Sequence, residues 1–164
     1  MRPLLRIALT VLLLAGARCA SAADLSPEET LKQYLSGVQD QEFDKVYDLV
    51  SAGMKHDKSK EVWAKEQQYI FQLSEAKIFD FDVYPSKIEG EVAKVPNILS
   101  SQDKFLNQLG VEEHELYILV KEDGKWKVDR QEAVVENADI DKWFPKKAHE
   151  DSPAKIETKP PDAP

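Results

Sequence analysis

The sequence predicts an α+β domain in which helices come first and an antiparallel sheet follows. Three observations predict it. Residues 26–74 carry apolar side chains at helical spacing, the period switches to two at Ile78, and Asp123-Gly124 separates two strand-like runs near the end. The chain has 164 residues, 42% hydrophobic and 32% charged, which suits one domain with enough apolar material for a core.

Ser26-Pro27-Glu28-Glu29 opens the first helix. Serine stands at the N-cap, proline at the first helical position and Glu29 at the third, so Ser26 and Glu29 satisfy orphan backbone donors reciprocally. Leu31, Tyr34, Leu35 and Val38 then form one stripe. After the polar break Gln39-Asp40-Gln41-Glu42, a second stripe of Phe43, Val46, Tyr47 and Val50 runs to about Ser51-Ala52-Gly53. The short link predicts that these helices pack as antiparallel neighbours. A third helix is expected over about 59–74, with Val62, Trp63, Tyr69, Ile70 and Leu73 apolar and no glycine or proline inside.

In the run from Ile78 to Tyr84, Phe79, Phe81 and Val83 alternate with Asp80 and Asp82, the pattern of a half-buried strand. Glu91 to Ile98 is a weaker strand, and Pro96 is expected at an edge or bulge. Ser100 to Gly110 reads equally as a short helix or as an irregular excursion between strands. Glu115 to Val120 is nearly continuous apolar sequence and reads as a central strand buried on both faces. Asp123-Gly124 then turns the chain into a returning strand through Trp126 and Val128. Ala138 to Phe144 is expected to close the core with a last turn of helix before Pro145.

The ends read differently. Arg2 and Arg6 flank a basic start, Ile7 to Ala17 is apolar, and Ala20-Ser21-Ala22 is a small-residue cleavage site, so residues 1–22 read as a signal peptide. The chain is expected to be exported, to a periplasm or beyond. Arg18 before Cys19 argues against a lipid-modified cysteine, so Cys19 is expected to leave with the leader and not to anchor a lipoprotein. The apolar run is shorter than the roughly 20 residues of a spanning helix, so no stable membrane insertion is expected after cleavage. A mature chain without cysteine excludes disulfides, thiolate nucleophiles, cysteine-bound zinc and c-type haem. The domain proper is then 23–147, and residues 148–164, proline-containing and almost without apolar side chains, read as a disordered tail.

Charge bounds the partners. The whole chain carries a formal −8, and losing Arg2, Arg6 and Arg18 leaves 19 basic against 30 acidic residues, or −11. Such a surface repels nucleic acid, and no basic run is longer than Lys146-Lys147.

The run from Pro27 to Leu35, the run from Asp40 to Ser51 and the closing Glu122-Asp123-Gly124-Lys125-Trp126-Lys127-Val128-Asp129 together resemble the NTF2-like superfamily, especially its small exported bacterial members of unknown function. The resemblance covers roughly residues 26–132. It implies a strongly curved antiparallel sheet wrapped by helices into a cone, and a homodimer through a sheet face. Pro96 and the stretch from Ser100 to Gly110 depart from the long strands such a cone has. The superfamily hosts isomerases, dehydratases, transport adaptors and binding modules, so the resemblance selects no activity.

The residues themselves offer little chemistry. His56, His114 and His149 all sit in polar surroundings. Asp80 and Asp82 share a strand face with Tyr84 and read as a wet outer face, and Asp48 sits on the second helix. No metal-ligand spacing and no glycine-rich phosphate loop is present, so neither a metal nor a cofactor is expected. A binding module asks for less: a concave mouth with aromatics and a few polar anchors. Trp63, Tyr69, Phe71, Tyr117 and Trp126 are the candidates to line it. The expected function is therefore a non-enzymatic binding or assembly domain, for a small apolar ligand or a protein partner. The competing expectation is a small-molecule enzyme of the isomerase or dehydratase type, which needs a buried acid beside a tyrosine.

Overall fold

The computed structural model describes residues 24–145. The leader and the tail lie outside the described residues. Helix α1 (Pro27–Gln39) begins with the anticipated capping box: Glu29 N–H donates to the Ser26 hydroxyl at 3.1 Å, and Ser26 N–H donates to the Glu29 carboxylate at 2.9 Å. The second helix breaks up. Helix α2 (Phe43–Val46) passes into a 3₁₀ turn over Tyr47–Leu49, Val50 makes a parallel bridge to Val128, and a separate short helix α3 (Ala52–Lys55) follows from a Ser51 cap. Val50 is thus drawn out of the helical stripe into the sheet margin. Helix α4 spans Lys60–Ser74.

Among the described residues five strands follow: β1 (Lys77–Val83), β2 (Lys87–Glu89), β3 (Val92–Gln102), β4 (Glu112–Glu122) and β5 (Lys125–Ala133), and then helix α5 (Asn137–Trp143). The order is β1-β3-β4-β5, all antiparallel, with β2 beside β1 along the same edge of β3. The sheet does not close on itself. The Asp123-Gly124 turn forms as the sequence predicts, with φ of 49° and 79°, the left-handed values that a tight hairpin requires.

Pro96 lies in the middle of an inner strand, not at an edge. The reason is where β1 ends and β2 begins. The Pro96 carbonyl accepts from Tyr84 N–H at 2.9 Å, so its missing N–H falls at the Pro85-Ser86 gap between the two short strands. The side toward β4 keeps its ladder. The 100–110 stretch resolves as strand to Gln102 and then a loop. There the Asp103 carboxylate accepts from the N–H groups of Phe105, Leu106 and Asn107, and buried Asn107 ties the loop to Ser101 and Val111. The loop leaves Leu106 and Leu109 92% and 87% exposed.

The apolar core lies between the helices and one sheet face: Leu31, Leu35, Phe43, Val46, Val50, Trp63, Ala93, Val95, Tyr117, Leu119 and Val128. At Gly37 a Cβ would lie 2.7 Å from Val46 Cγ2, so glycine there lets α1 and α2 approach. Phe79 departs from its expected inward place. A register irregularity between Ile78 and Asp80 turns it out, to 55% exposed, while Phe81 and Val83 pack on the core. The Gln39 amide donates to both the Ile78 and Phe79 carbonyls at that irregularity. On the opposite sheet face Phe144, directly after α5, is buried, edge-on to Tyr84 and to His114. His114 is therefore half-buried against an aromatic ring and not solvated as its acidic neighbours suggested.

Candidate functional site

Two polar sites stand out, one inside and one outside. The inner one centres on Glu115, 2% exposed on the core face of β4. Alternation along the strand puts Glu115, Tyr117 and Leu119 on that face together. Asn97 faces Glu115 across β3, is 0% exposed, and donates its amide to one carboxylate oxygen at 3.0 Å. The Gln131 amide on β5 donates to the other oxygen, and the Tyr117 hydroxyl adds a further hydrogen bond. The Tyr34 ring stands edge-on to Tyr117 at 6.0 Å. Burial pushes the Glu115 carboxyl up to about 7, against the pull of the bonds from Asn97 and Tyr117. Tyr34 as a whole is half-buried, yet burial of its hydroxyl and then the Glu115 charge push it up to about 12.

Asn97 Oδ1 has no hydrogen-bond partner among the described residues. Turning the amide over would let Oδ1 accept from a protonated Glu115. The turned NH2 group would then stand where Oδ1 had been and lack a partner in its stead, so one polar group of Asn97 stays unsatisfied with either protonation state of Glu115. Glu115, Asn97 and Tyr117 line none of five surface clefts found among the described residues.

The outer site is a cleft of about 550 Å³ between the start of α1, the 3₁₀ turn, α3 and the start of β5. Asp24, Leu25, Thr30, Asp48, Leu49, Lys55, Lys125, Trp126 and Lys127 line it. Val128 and the bridge to Val50 hold β5 against the helical half, which sets Trp126 at the cleft wall. The Lys127 ammonium donates to the Asp48 backbone carbonyl.

The five aromatic candidates therefore share no single cavity. Trp63 is core, its indole N–H donating to the Met54 carbonyl at 3.0 Å. Phe71 packs edge-on against Phe43. Tyr69 is exposed on α4 beside a shallow groove. Tyr117 belongs to the inner cluster, and Trp126 alone lines the outer cleft. Asp80 and Asp82 are exposed, the wet face expected of them. Among the described residues no group of three or more His, Cys, Asp or Glu is arranged to hold a metal, and no helix is long and apolar enough to cross a membrane.

No protein-family model matches the chain, and a search of curated proteins finds no match. Similar solved structures do exist. RPA3114, a SEC-C motif containing protein from Rhodopseudomonas palustris, is 18% identical with a TM-score of 0.51, over 67% of this chain and 80% of that one. An NTF2-like protein of unknown function from Shewanella baltica is 17% identical with a TM-score of 0.43, over 67% and 92%. Another from Cytophaga hutchinsonii is 10% identical with a TM-score of 0.42, over 69% and 94%. These are likenesses of fold alone. The fold is helices followed by an open antiparallel sheet, similar in outline to the neighbours described as NTF2-like.

Proposed function

We propose that this is an exported, non-enzymatic binding domain that takes its ligand in the outer cleft beside Trp126. The observation that carries the reading is the contrast in access. The inner acid is 2% exposed with both carboxylate oxygens occupied by protein donors, while the outer cleft of about 550 Å³ is open and walled by an aromatic ring. Ligand sites are concave, part apolar and sparsely polar, which fits Trp126, Leu25 and Leu49 with three lysines. Pairing of two copies through the sheet would have to accommodate α5 and Phe144 on the outer face.

The test is native mass spectrometry of protein purified from its source compartment. A retained small molecule that Trp126→Ala releases supports the reading. The second reading, a small-molecule enzyme, is favoured by the Glu115–Tyr117 pair, which supplies the acid and tyrosine such chemistry needs. Retention that survives Trp126→Ala but is lost on Tyr117→Phe would move the site inside and favour that enzyme.

A further inference from the structure

We propose that the cleft beside Trp126 binds an organic anion, its charged head held by Lys55, Lys125 and Lys127 and its apolar body laid against Trp126. The inference rests on the reading of this cleft as the binding site and names its ligand class.

The chain as a whole carries a formal −8, yet three of the residues lining this cleft are lysines. Among the described residues none of the three has a carboxylate partner. Lys127 reaches a backbone carbonyl, Lys55 stands over the Tyr47 ring at 4.7 Å, and Lys125 makes no ion pair. The nearby acids are largely engaged elsewhere. Asp48 pairs with Lys60 at 2.6 Å, and Glu122 caps α3 by accepting from Ala52 N–H at 3.0 and 3.1 Å. Among the described residues, Asp24 adds the one carboxylate of the lining that makes no ion pair there.

The lysines strain against one another. Burial first, then the charges of Lys55 and Lys125, draw the Lys127 ammonium below its ordinary range, against the opposing pull of Asp48 and Glu122. A bound anion would relieve that repulsion, and with Asp48 held by Lys60 the lining sets three lysines against Asp24, a balance that favours a negative ligand.

A second, independent feature points the same way. Thr30 lines the cleft, is 1% exposed, and its hydroxyl has no partner among the described residues. A helical threonine ordinarily bonds back to the carbonyl of the preceding turn, and buried hydroxyls are nearly always satisfied. A ligand oxygen seated between Thr30 and the lysines would complete it. Lysines act as point charges on flexible stems, so they suit a compact carboxylate, sulfonate or phosphate monoester head and not a geometrically demanding one. The Trp126 face, with Leu25 and Leu49, suits an aromatic or short aliphatic body.

The test titrates the purified protein with phenyl phosphate, phenylacetate, inorganic phosphate and neutral benzyl alcohol, read by tryptophan fluorescence and calorimetry at low and physiological salt. Both aromatic anions are expected to bind, more weakly as salt rises, and benzyl alcohol at least about tenfold more weakly. The stronger of the two aromatic anions identifies the head group. Lys125→Glu, on an exposed side chain, should weaken binding about tenfold, and the near-isosteric Thr30→Val about threefold to fivefold. Circular dichroism checks that both variants fold. Equal affinity for benzyl alcohol and the anions, or an unchanged affinity in Lys125→Glu, would overturn the inference. Inorganic phosphate binding as tightly as phenyl phosphate would overturn the role given to Trp126. A neutral ligand released by Trp126→Ala but indifferent to Lys125→Glu would sink the anion and leave the cleft as the binding site. Retention lost only on Tyr117→Phe would sink both.

Discussion

The two polar sites hold charge in opposite ways. Glu115 is enclosed by Asn97, Gln131 and Tyr117, and its environment favours the neutral acid. Lys55, Lys125 and Lys127 face an open cleft and make no ion pair among the described residues, so their charge is available to a ligand. The difference teaches that a buried charge and an available charge are distinct. The first is a problem that the fold manages, and the second is an opening that a ligand can use.

The sharpest way to break the comparison is to remove the inner charge. Glu115 is raised to about 7 in the folded chain, against an ordinary value near 4.3 when unfolded. Because the folded value is the higher one, the native state binds more protons between these limits. Stability is therefore greatest below about pH 4.5 as far as this group decides, and falls as pH rises to about 7, by roughly 3 kcal/mol. In urea unfolding followed by circular dichroism, Glu115→Gln should flatten that slope. It should be more stable than the parent by about 2 kcal/mol at pH 8 and nearly equal at pH 5. A variant less stable than the parent at pH 8 would show that the carboxylate is favoured where it sits.

Asn97→Ala probes the donors instead. It removes one of the bonds that tolerate the ionised acid, so it should cost about 2 kcal/mol at pH 8 and less at pH 5. A loss independent of pH would mean that Asn97 only fills space. Gly37→Ala tests the helix contact behind the core and leaves both polar sites in place. Its methyl meets Val46 at 2.7 Å, so a loss of about 1–2 kcal/mol is expected, with no change in the pH slope. The smallest effect belongs to the outer site. Lys60→Ala frees the Asp48 carboxylate into the cleft and should weaken binding of phenyl phosphate about twofold.

Much of the fold was legible because local signals agreed with it. The Ser26 cap, the stripe from Leu31 to Val38, the buried strand from Glu115 to Val120 and the Asp123-Gly124 hairpin all stand where their patterns place them. The misreadings come from neighbours that a single sequence does not display. Val50 leaves its helical stripe because Val128 offers it a bridge, Phe79 turns outward at a register irregularity, and Pro96 is tolerated inside the sheet because two strands share one edge of β3. The site was less legible than the fold. Glu115 read as the start of a strand, although its place two and four residues before Tyr117 and Leu119 already set it on their inward face. The lysine cleft had no signal in the sequence, since Lys55 stands 70 residues from Lys125 and the bridge at Val50 brings them together.

The most direct test of this division is to follow backbone and indole N–H resonances while phenyl phosphate is added. Shifts confined to the Trp126 indole, Lys125, Lys127, Lys55 and Thr30, with Glu115, Asn97 and Tyr117 unmoved, are what the account predicts. Shifts centred on Glu115, Asn97 and Tyr34, with Trp126 silent, would place the ligand inside the molecule and contradict it.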